Sequence, residues 1–399
     1  MSASPNFDTN PLPNLPSDRS GIGRVVEVSD STSLPKFSFA EARTLIGDLT
    51  TPNPKIYWAD FLVSILVGHT CLFAILGLPK AFPDVAWIWA VSAASYVVTV
   101  LAYMRSLMFI HELVHLPKDG FRGFRIAWNL LCGIPFFVPS FLYYPHVDHH
   151  RRKHYGTDHD GEYLALSHHG RWMIVGFIAQ ALVLPLLGLG RFLIVAPVCW
   201  LCPRLRPVVH RRMSTMVVDP FYERNDASEK LMRTVYVQEV LCFLWAVVFC
   251  TFWFVRPDGY QATGSWFNPL WGVAYATAVG ILVLNEVRTL GAHRWMNDKK
   301  QEMSFEAQLV DSVNYPHHPI WGELWGPVGT KFHGLHHLFP RLPYHNLAKA
   351  HRRLVAGLPA DSIYHQTIGE SLIDEIRQLW RRAGQAKNQP EKHHLSVNE

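Results

Sequence analysis

His111-Glu112-Leu113-Val114-His115 closes an almost uninterrupted apolar run, residues 85–110. That junction decides the fold. The run matches the ~20 residues that cross a bilayer, and the histidines stand where such a helix would leave it. On a helix, His111 and His115 lie one turn apart on one face. Two further clusters follow the same rule, His146-Val147-Asp148-His149-His150 and His333-Gly334-Leu335-His336-His337. One such pair says little, because single histidines are usually surface or hydrogen-bonded core residues. Three clusters, each adjoining an apolar stretch, point to a shared metal site, a role that suits neutral imidazole.

Outward from this junction, the 399-residue chain holds other apolar blocks. Residues 57–78, 236–255 and 268–290 each contain a run near bilayer length. The expectation is an all-α integral, multi-pass membrane protein with about four transmembrane helices in two hairpins. Two further apolar stretches are broken. Residues 126–144 carry Asn129, Pro135 and Pro139, and residues 172–201 carry Pro185, Gly188, Gly190, Arg191 and Pro197. These read as re-entrant or interfacial helices. If 126–144 crossed the membrane alone, the second histidine cluster would face away from the first. Two hairpins bring all three clusters to one face, under a helical, histidine-rich metal-binding cap.

Charge orients this arrangement. The intervening loops, 79–84 and 256–267, hold Lys80 and Arg256 as their basic residues, whereas the histidine face holds Lys118, Arg122, Arg125, Arg151-Arg152-Lys153 and the 204–212 cluster. Positive residues favour the cytoplasmic side, so the cap is expected there. The net charge of +5 is then a topology signal with added attraction to anionic headgroups. Nucleic-acid binding is disfavoured, since no basic segment sits on a reader module. The six cysteines lie mostly in apolar segments, which suits free thiols better than a disulfide framework. Residues 1–49 read as a loosely attached arm with a short helix near 41–48 and no signal peptide. Residues 50–354 form the membrane domain with its cap, and 355–399 an amphipathic helix near 371–383 with a tail.

More than six imidazoles exceed what one zinc ion takes, so the clusters imply two metal ions; spacing alone leaves iron and zinc open. HELVH also matches the HExxH pattern of zinc peptidases, but that reading leaves the other two clusters unexplained.

HELVH, HVDHH and HGLHH, in this order beside apolar segments, resemble the three histidine boxes of the membrane fatty acid desaturase superfamily. The run from His333 through His336-His337-Leu338-Phe339-Pro340 to Leu347 is similar to bacterial acyl-lipid desaturases, and the likeness spans residues 60–354. The resemblance implies two iron ions held by His111, His115, His146, His149, His150, His333, His336 and His337. It adds His293, in Gly291-Ala292-His293-Arg294-Trp295, just past the last span. A relative holds a metal-bound water with an Asn four residues before that histidine. Thr289 stands there in this chain, and Asn285, one turn back, is the candidate. Asn285 and Glu112 are thus the candidate catalytic residues. Glu112, Asp148, Asp158, Asp160 and Glu162 fit acceptors that orient ligand rings; His154 is a further candidate ligand.

The implied reaction is dioxygen-dependent introduction of a double bond into a fatty acyl chain of a membrane lipid or an acyl thioester. Hydroxylation or ketolation of a lipid, carotenoid or alkane is the alternative. Both begin by abstracting hydrogen from an unactivated carbon, and they part on sub-ångström positioning. No haem, flavin or dinucleotide fingerprint is present, so the electrons come from an external donor, a ferredoxin or cytochrome, docking on the basic face. A bacterial inner membrane is the implied location.

Overall fold

The computed structural model describes residues 37–117, 119–225, 227–251 and 269–386. The greater part of the expected arm, the 256–267 loop and the C-terminal tail from Lys387 lie outside the described residues. The described chain is helical, with only isolated β-bridges. In order, its helices are α1 Phe39–Ile46, α2 Pro54–Ala81, α3 Ile88–His115, α4 Arg122–Trp128, α5 His146–His149, α6 Arg171–Ala179 and α7 Leu184–Leu201. Then follow α8 Arg206–Met213, α9 Glu229–Thr251, α10 Pro269–Ala292, α11 Phe305–Asp311, α12 Pro319–Trp325, α13 His333–Leu338, α14 Tyr344–Gly357 and α15 Leu372–Ala386.

Five helices are long and apolar enough to cross a membrane: α2, α3, α7, α9 and α10. Four of them are the spans expected from sequence. The fifth, α7, falls within the stretch expected to be re-entrant or interfacial. Asn53 caps α2 through Lys55 N, with Pro54 at its first position, where a missing N–H costs nothing. At 28 residues each, α2 and α3 run roughly 42 Å at 1.5 Å per residue. Both outlast a hydrocarbon core of ~30 Å, so the last turns of α3 carry His111 and His115 beyond it. Gly68 lets the two helices approach: a Cβ there would lie 2.4 Å from the Tyr103 ring. Arg105 of α3 grips Asp60 of α2 through Nε and Nη2, both at 2.6 Å. Outward-facing Leu66 and Phe73 are about two-thirds exposed, which suits lipid contact.

The stretch 126–144 enters the helical bundle and turns back. Trp128 Nε1 donates to Ser106 O of α3 at 2.9 Å, and Trp245 Nε1 of α9 donates to Pro135 O at 3.1 Å. Asn129 then ties the descending limb to the returning one, accepting from Ser140 N at 2.9 Å and donating to Ser140 Oγ at 3.0 Å. Phe137 makes the bend with φ 56°. The second broken stretch behaves similarly. Arg171, at the start of α6, donates to Trp380 O of the cap, and Leu182 accepts from Tyr275 of α10. α7 leads back, with Arg191 held to Glu239 of α9 at 2.6 Å. An arginine at this depth is tolerable because it is paired.

Helices α11 to α15 cover the bundle end from which α3 and α10 emerge. The short helix at 39–46 belongs to this cap: Asp48, just beyond it, pairs with Arg353 of α14. The amphipathic helix expected near 371–383 is α15, whose Leu379 and Ala383 enter a core with Tyr163 and Trp295.

Candidate metal centre

Each histidine cluster is placed by a distinct device. His111 and His115 end α3, whose neighbouring Glu112 accepts from Tyr57 Oη and, at 3.3 Å, from Tyr344 N. This bond set locks the α3 terminus to α2 and to the cap. The second cluster is α5, one helical turn on the returning limb of 126–144. His293 follows the last residue of α10, where Val313 N donates to Ala292 O at 3.0 Å. For the third cluster, buried Asn314 supplies the missing cap. Its Oδ1 accepts from Leu335 N at 2.8 Å in the first turn of α13, while its Nδ2 donates to Thr367. Gly334 is required there, since a Cβ would lie 2.8 Å from Ser312 O.

The nine imidazoles form two adjoining groups. His111, His115, His146, His150 and His336 make one, and His149, His293, His333 and His337 make the other; within each, the candidate ligand atoms all lie within 4.8 Å of one another. The division follows helix geometry. Residues i and i+4 share a direction, whereas i+3 points ~100° away from i+4. So His146 and His150 stay together while His149 crosses to the second group. His333 and His337 stay together while His336 crosses to the first. The groups abut, with the His150 and His337 ring centroids 4.5 Å apart.

The donor set fits metal ions. His146 Nε2 and His150 Nε2 are 2.9 Å apart, and His150 Nε2 and His336 Nε2 3.1 Å. In the second group His293 Nε2 and His333 Nε2 are 2.9 Å apart, and His333 Nε2 and His337 Nε2 3.1 Å. Two nitrogens ~2.1 Å from one ion and at right angles stand ~3.0 Å apart. Both ring nitrogens of His111, and His115 Nε2, are buried with no hydrogen-bond partner, an arrangement that is costly without a cation to bind. Burial, reinforced by neighbouring imidazoles, holds His146, His150, His333, His336 and His337 well below the usual histidine pKa. Those rings are neutral, the form that binds metal.

The outer supports are unequal. His149 Nδ1 meets Asp160 at 2.8 Å, and Asp160 is fixed by Gly156 N and Glu162 N. Burial disfavours the charged His149, but the carboxylates of Asp160, Glu162 and Asp311 together outweigh it and raise the pKa. His293 Nδ1 meets Tyr155 Oη at 2.8 Å, and that hydroxyl donates to Asp311 at 2.7 Å. In the first group, His146 Nδ1 lies 3.0 Å from Glu162, whose pKa burial lifts to about 7.

Of the carboxylates singled out from sequence, Asp160 and Glu162 reach ligand rings. Asp148 instead pairs with Arg151, and Asp158 is exposed beside Lys299. His154 belongs to neither group and lies 3.7 Å from Asp148. Glu112 bonds to tyrosine and backbone as described. Asn285 Oδ1 accepts from Arg288 at 3.1 Å, so its amide oxygen is engaged within α10. Tyr155 and Asp311 had no local sequence signal: Tyr155 bonds to His293 across 138 residues, and Asp311 accepts from that tyrosine across 156.

The fatty acid desaturase family model matches residues 86–369, a span that contains all nine histidines. A ceramide hydroxylase of Caulobacter vibrioides (strain NA1000 / CB15N) is 38% identical over 364 residues, covering 88% of this chain and 96% of that protein. No solved structure matches significantly. With its apolar helices and two histidine groups, the chain belongs to the membrane fatty acid desaturase family of oxidoreductases.

Proposed function

We propose that this protein hydroxylates a ceramide-class lipid at a diiron centre. The observation that carries the reading is the 38% identity, over nearly the full length of both chains, to a protein named as a ceramide hydroxylase. Two iron ions bound there supply the power to oxidise an unactivated C–H bond with dioxygen and two electrons. In balance, R–H, O2, two electrons and two protons give R–OH and water. His111, His115, His146, His150 and His336 hold one ion, and His149, His293, His333 and His337 the other. Asp160 orients His149, and Tyr155 with Asp311 orients His293, each fixing the ring that faces the metal. Glu112 acts as a positioning residue, keeping the end of α3 in register with the cap, and Asn285 acts through Arg288. The lipid reaches the centre from the bilayer, the cap lies on the cytoplasmic side of a bacterial inner membrane, and a ferredoxin or cytochrome delivers electrons to its basic surface.

Desaturation of an acyl chain remains the second reading, favoured by the acyl-desaturase-like run 333–347. Labelled dioxygen separates the two. Purified enzyme with iron, reductant and ceramide should return a hydroxylated lipid bearing one labelled oxygen. An unlabelled product with a new double bond would overturn hydroxylation and leave the metal assignment standing.

A further inference from the structure

Away from the histidines, a cavity of about 320 Å3 opens where the cap meets the helical bundle. Tyr315, His317, Trp321 and Trp325 line one side of it, and Glu370 and Leu372, at the start of α15, line the other. The Tyr315 and Trp325 ring centroids stand 5.1 Å apart with the planes at 83°, so the two rings make walls at nearly a right angle. Tyr315 is fixed by its hydroxyl, which donates to Gly291 O in the last turn of α10 at 2.6 Å. Leu372 packs so closely on the same glycine that a Cβ there would collide with it.

The depth of this corner follows from α12. Its Glu323 reaches Arg105 of α3 at 3.1 Å, and Arg105 precedes the ligand His111 by six residues, about 9 Å of helix. The helix α12 therefore lies beside the end of a span, at the level of the lipid headgroups. Lys331 fastens it from beneath, donating to Pro319 O at 3.0 Å and pairing with Glu323 at 3.3 Å. The outer surface is apolar: Ile320, Trp321 and Ile373 are 77%, 69% and 61% exposed. Tryptophan is an ordinary anchor at such a boundary. Here one of the anchors is also a wall of the cavity.

Charge narrows the ligand. No lysine or arginine among the described residues lines the cavity. The cations nearby are taken, Lys331 by Glu323, Arg294 by Glu375 and Arg377 by Asp374. Asp374 and Glu375 also stand in the first turn of α15, where they offset the positive end of its dipole. Exposed Glu370 forms no ion pair with a described residue, so the uncompensated charge on the lining is negative. Aromatic faces and a carboxylate together attract an ammonium group and disfavour an anion. The exposed apolar rim suits an ammonium that arrives with acyl chains.

We propose that this corner is a binding site for the ammonium headgroup of a bilayer phospholipid, phosphatidylethanolamine in chemistry, which seats between the aromatic walls and Glu370 and holds the cap to the membrane surface. The site is separate from the histidine groups and independent of which lipid is oxidised.

The test uses the full-length protein in nanodiscs of phosphatidylethanolamine and phosphatidylglycerol, mixed equally and with identical acyl chains. Lipids that stay on the protein are counted by native mass spectrometry. Wild type should retain phosphatidylethanolamine about tenfold over phosphatidylglycerol, the combined scale of ring and carboxylate contacts to one ammonium. W321A and E370Q should each cut that preference about threefold or more, while iron content and melting temperature match wild type, since both side chains lie at the surface. W321F, which keeps an aromatic face, should retain most of the preference. Equal retention of the two lipids by wild type would overturn the proposal, as would an unchanged preference in either W321A or E370Q. Free ethanolamine in large excess should leave the preference standing; its loss would make a soluble amine the ligand and overturn the lipid assignment.

Discussion

The two histidine groups share a design but not a surrounding. The four-histidine group is backed by two buried carboxylates, Asp160 on His149 and Asp311 acting through Tyr155 on His293. The five-histidine group leans on a single carboxylate, Glu162, at His146, and His111 has no partner at either nitrogen. One group has fewer ligands held firmly; the other has more ligands held by helix ends. Burial disfavours the ionised forms of Asp160 and Asp311, but the neighbouring imidazoles and hydrogen bonds outweigh it and hold both below the usual carboxylate range. Rings anchored by an ionised partner are stronger donors and lose less freedom on binding. The firm group should therefore retain its ion better, and the looser group should be first to empty.

The largest effect tests whether both groups are needed. His336→Ala and His333→Ala, one from each group, should each abolish turnover, and iron analysis should fall from two ions per chain toward one. Full activity in either variant would break the two-ion reading. The next effect is graded. D160N and D311N should weaken retention of one ion by ~10–100-fold, measured by competition with a chelator, while E162Q changes the other less. Equal losses for all three would erase the asymmetry.

A third test removes a confounder. Acid sensitivity would otherwise be credited to the ligands alone. His351 of α14 is buried and bonded to Tyr364 Oη at 2.7 Å, and burial holds its pKa down at about 3. The unfolded ring protonates near ~6.5. Folding therefore gains from neutral His351 at higher pH, and this gain is lost as pH falls from ~6.5 toward 3. In chelator-treated protein, the melting temperature of H351Q should fall less steeply with acid than that of wild type. Parallel slopes would remove His351 from the account.

Much of this was legible because the ligands obey helix spacing. The apolar runs gave four of the five long helices, and the histidine clusters named every member of both groups except His293, which the family resemblance supplied. The partition between groups was also latent, since i and i+4 stay together and i+3 departs; it became readable only once two converging helix ends were known. The turns at Phe137 and near Leu182 were foreshadowed by Pro and Gly in broken apolar stretches. Asp311, Tyr155 and Asn314 left no such trace. They act across 18 to 138 residues of separation, and nothing in their local sequence separates them from ordinary polar residues. Substrate choice was read toward desaturation from the third box, whereas the similarity to a ceramide hydroxylase supports hydroxylation. The reason is physical: both outcomes use the same metal ligands, and the difference lies in how the target carbon is held.

The smallest expected effect concerns the count of five against four. His154 follows His150 by one helical turn, and sequence spacing alone would add it to the five-histidine group that holds His150. Its ring is instead turned toward His159, with centroids 5.5 Å apart, and its Nδ1 faces Asp148 at 3.7 Å. The backbone explains the divergence. α5 ends at His149, and the chain continues as turns through Gly156, which has φ +70°, so the i, i+4 relation from His150 no longer holds a common face. His154→Ala should leave two iron ions per chain, the chelator competition curve and the product unchanged within error. Loss of an ion from the five-histidine group alone would show that His154 swings in beside His150, and the two groups would then differ still further in ligand number.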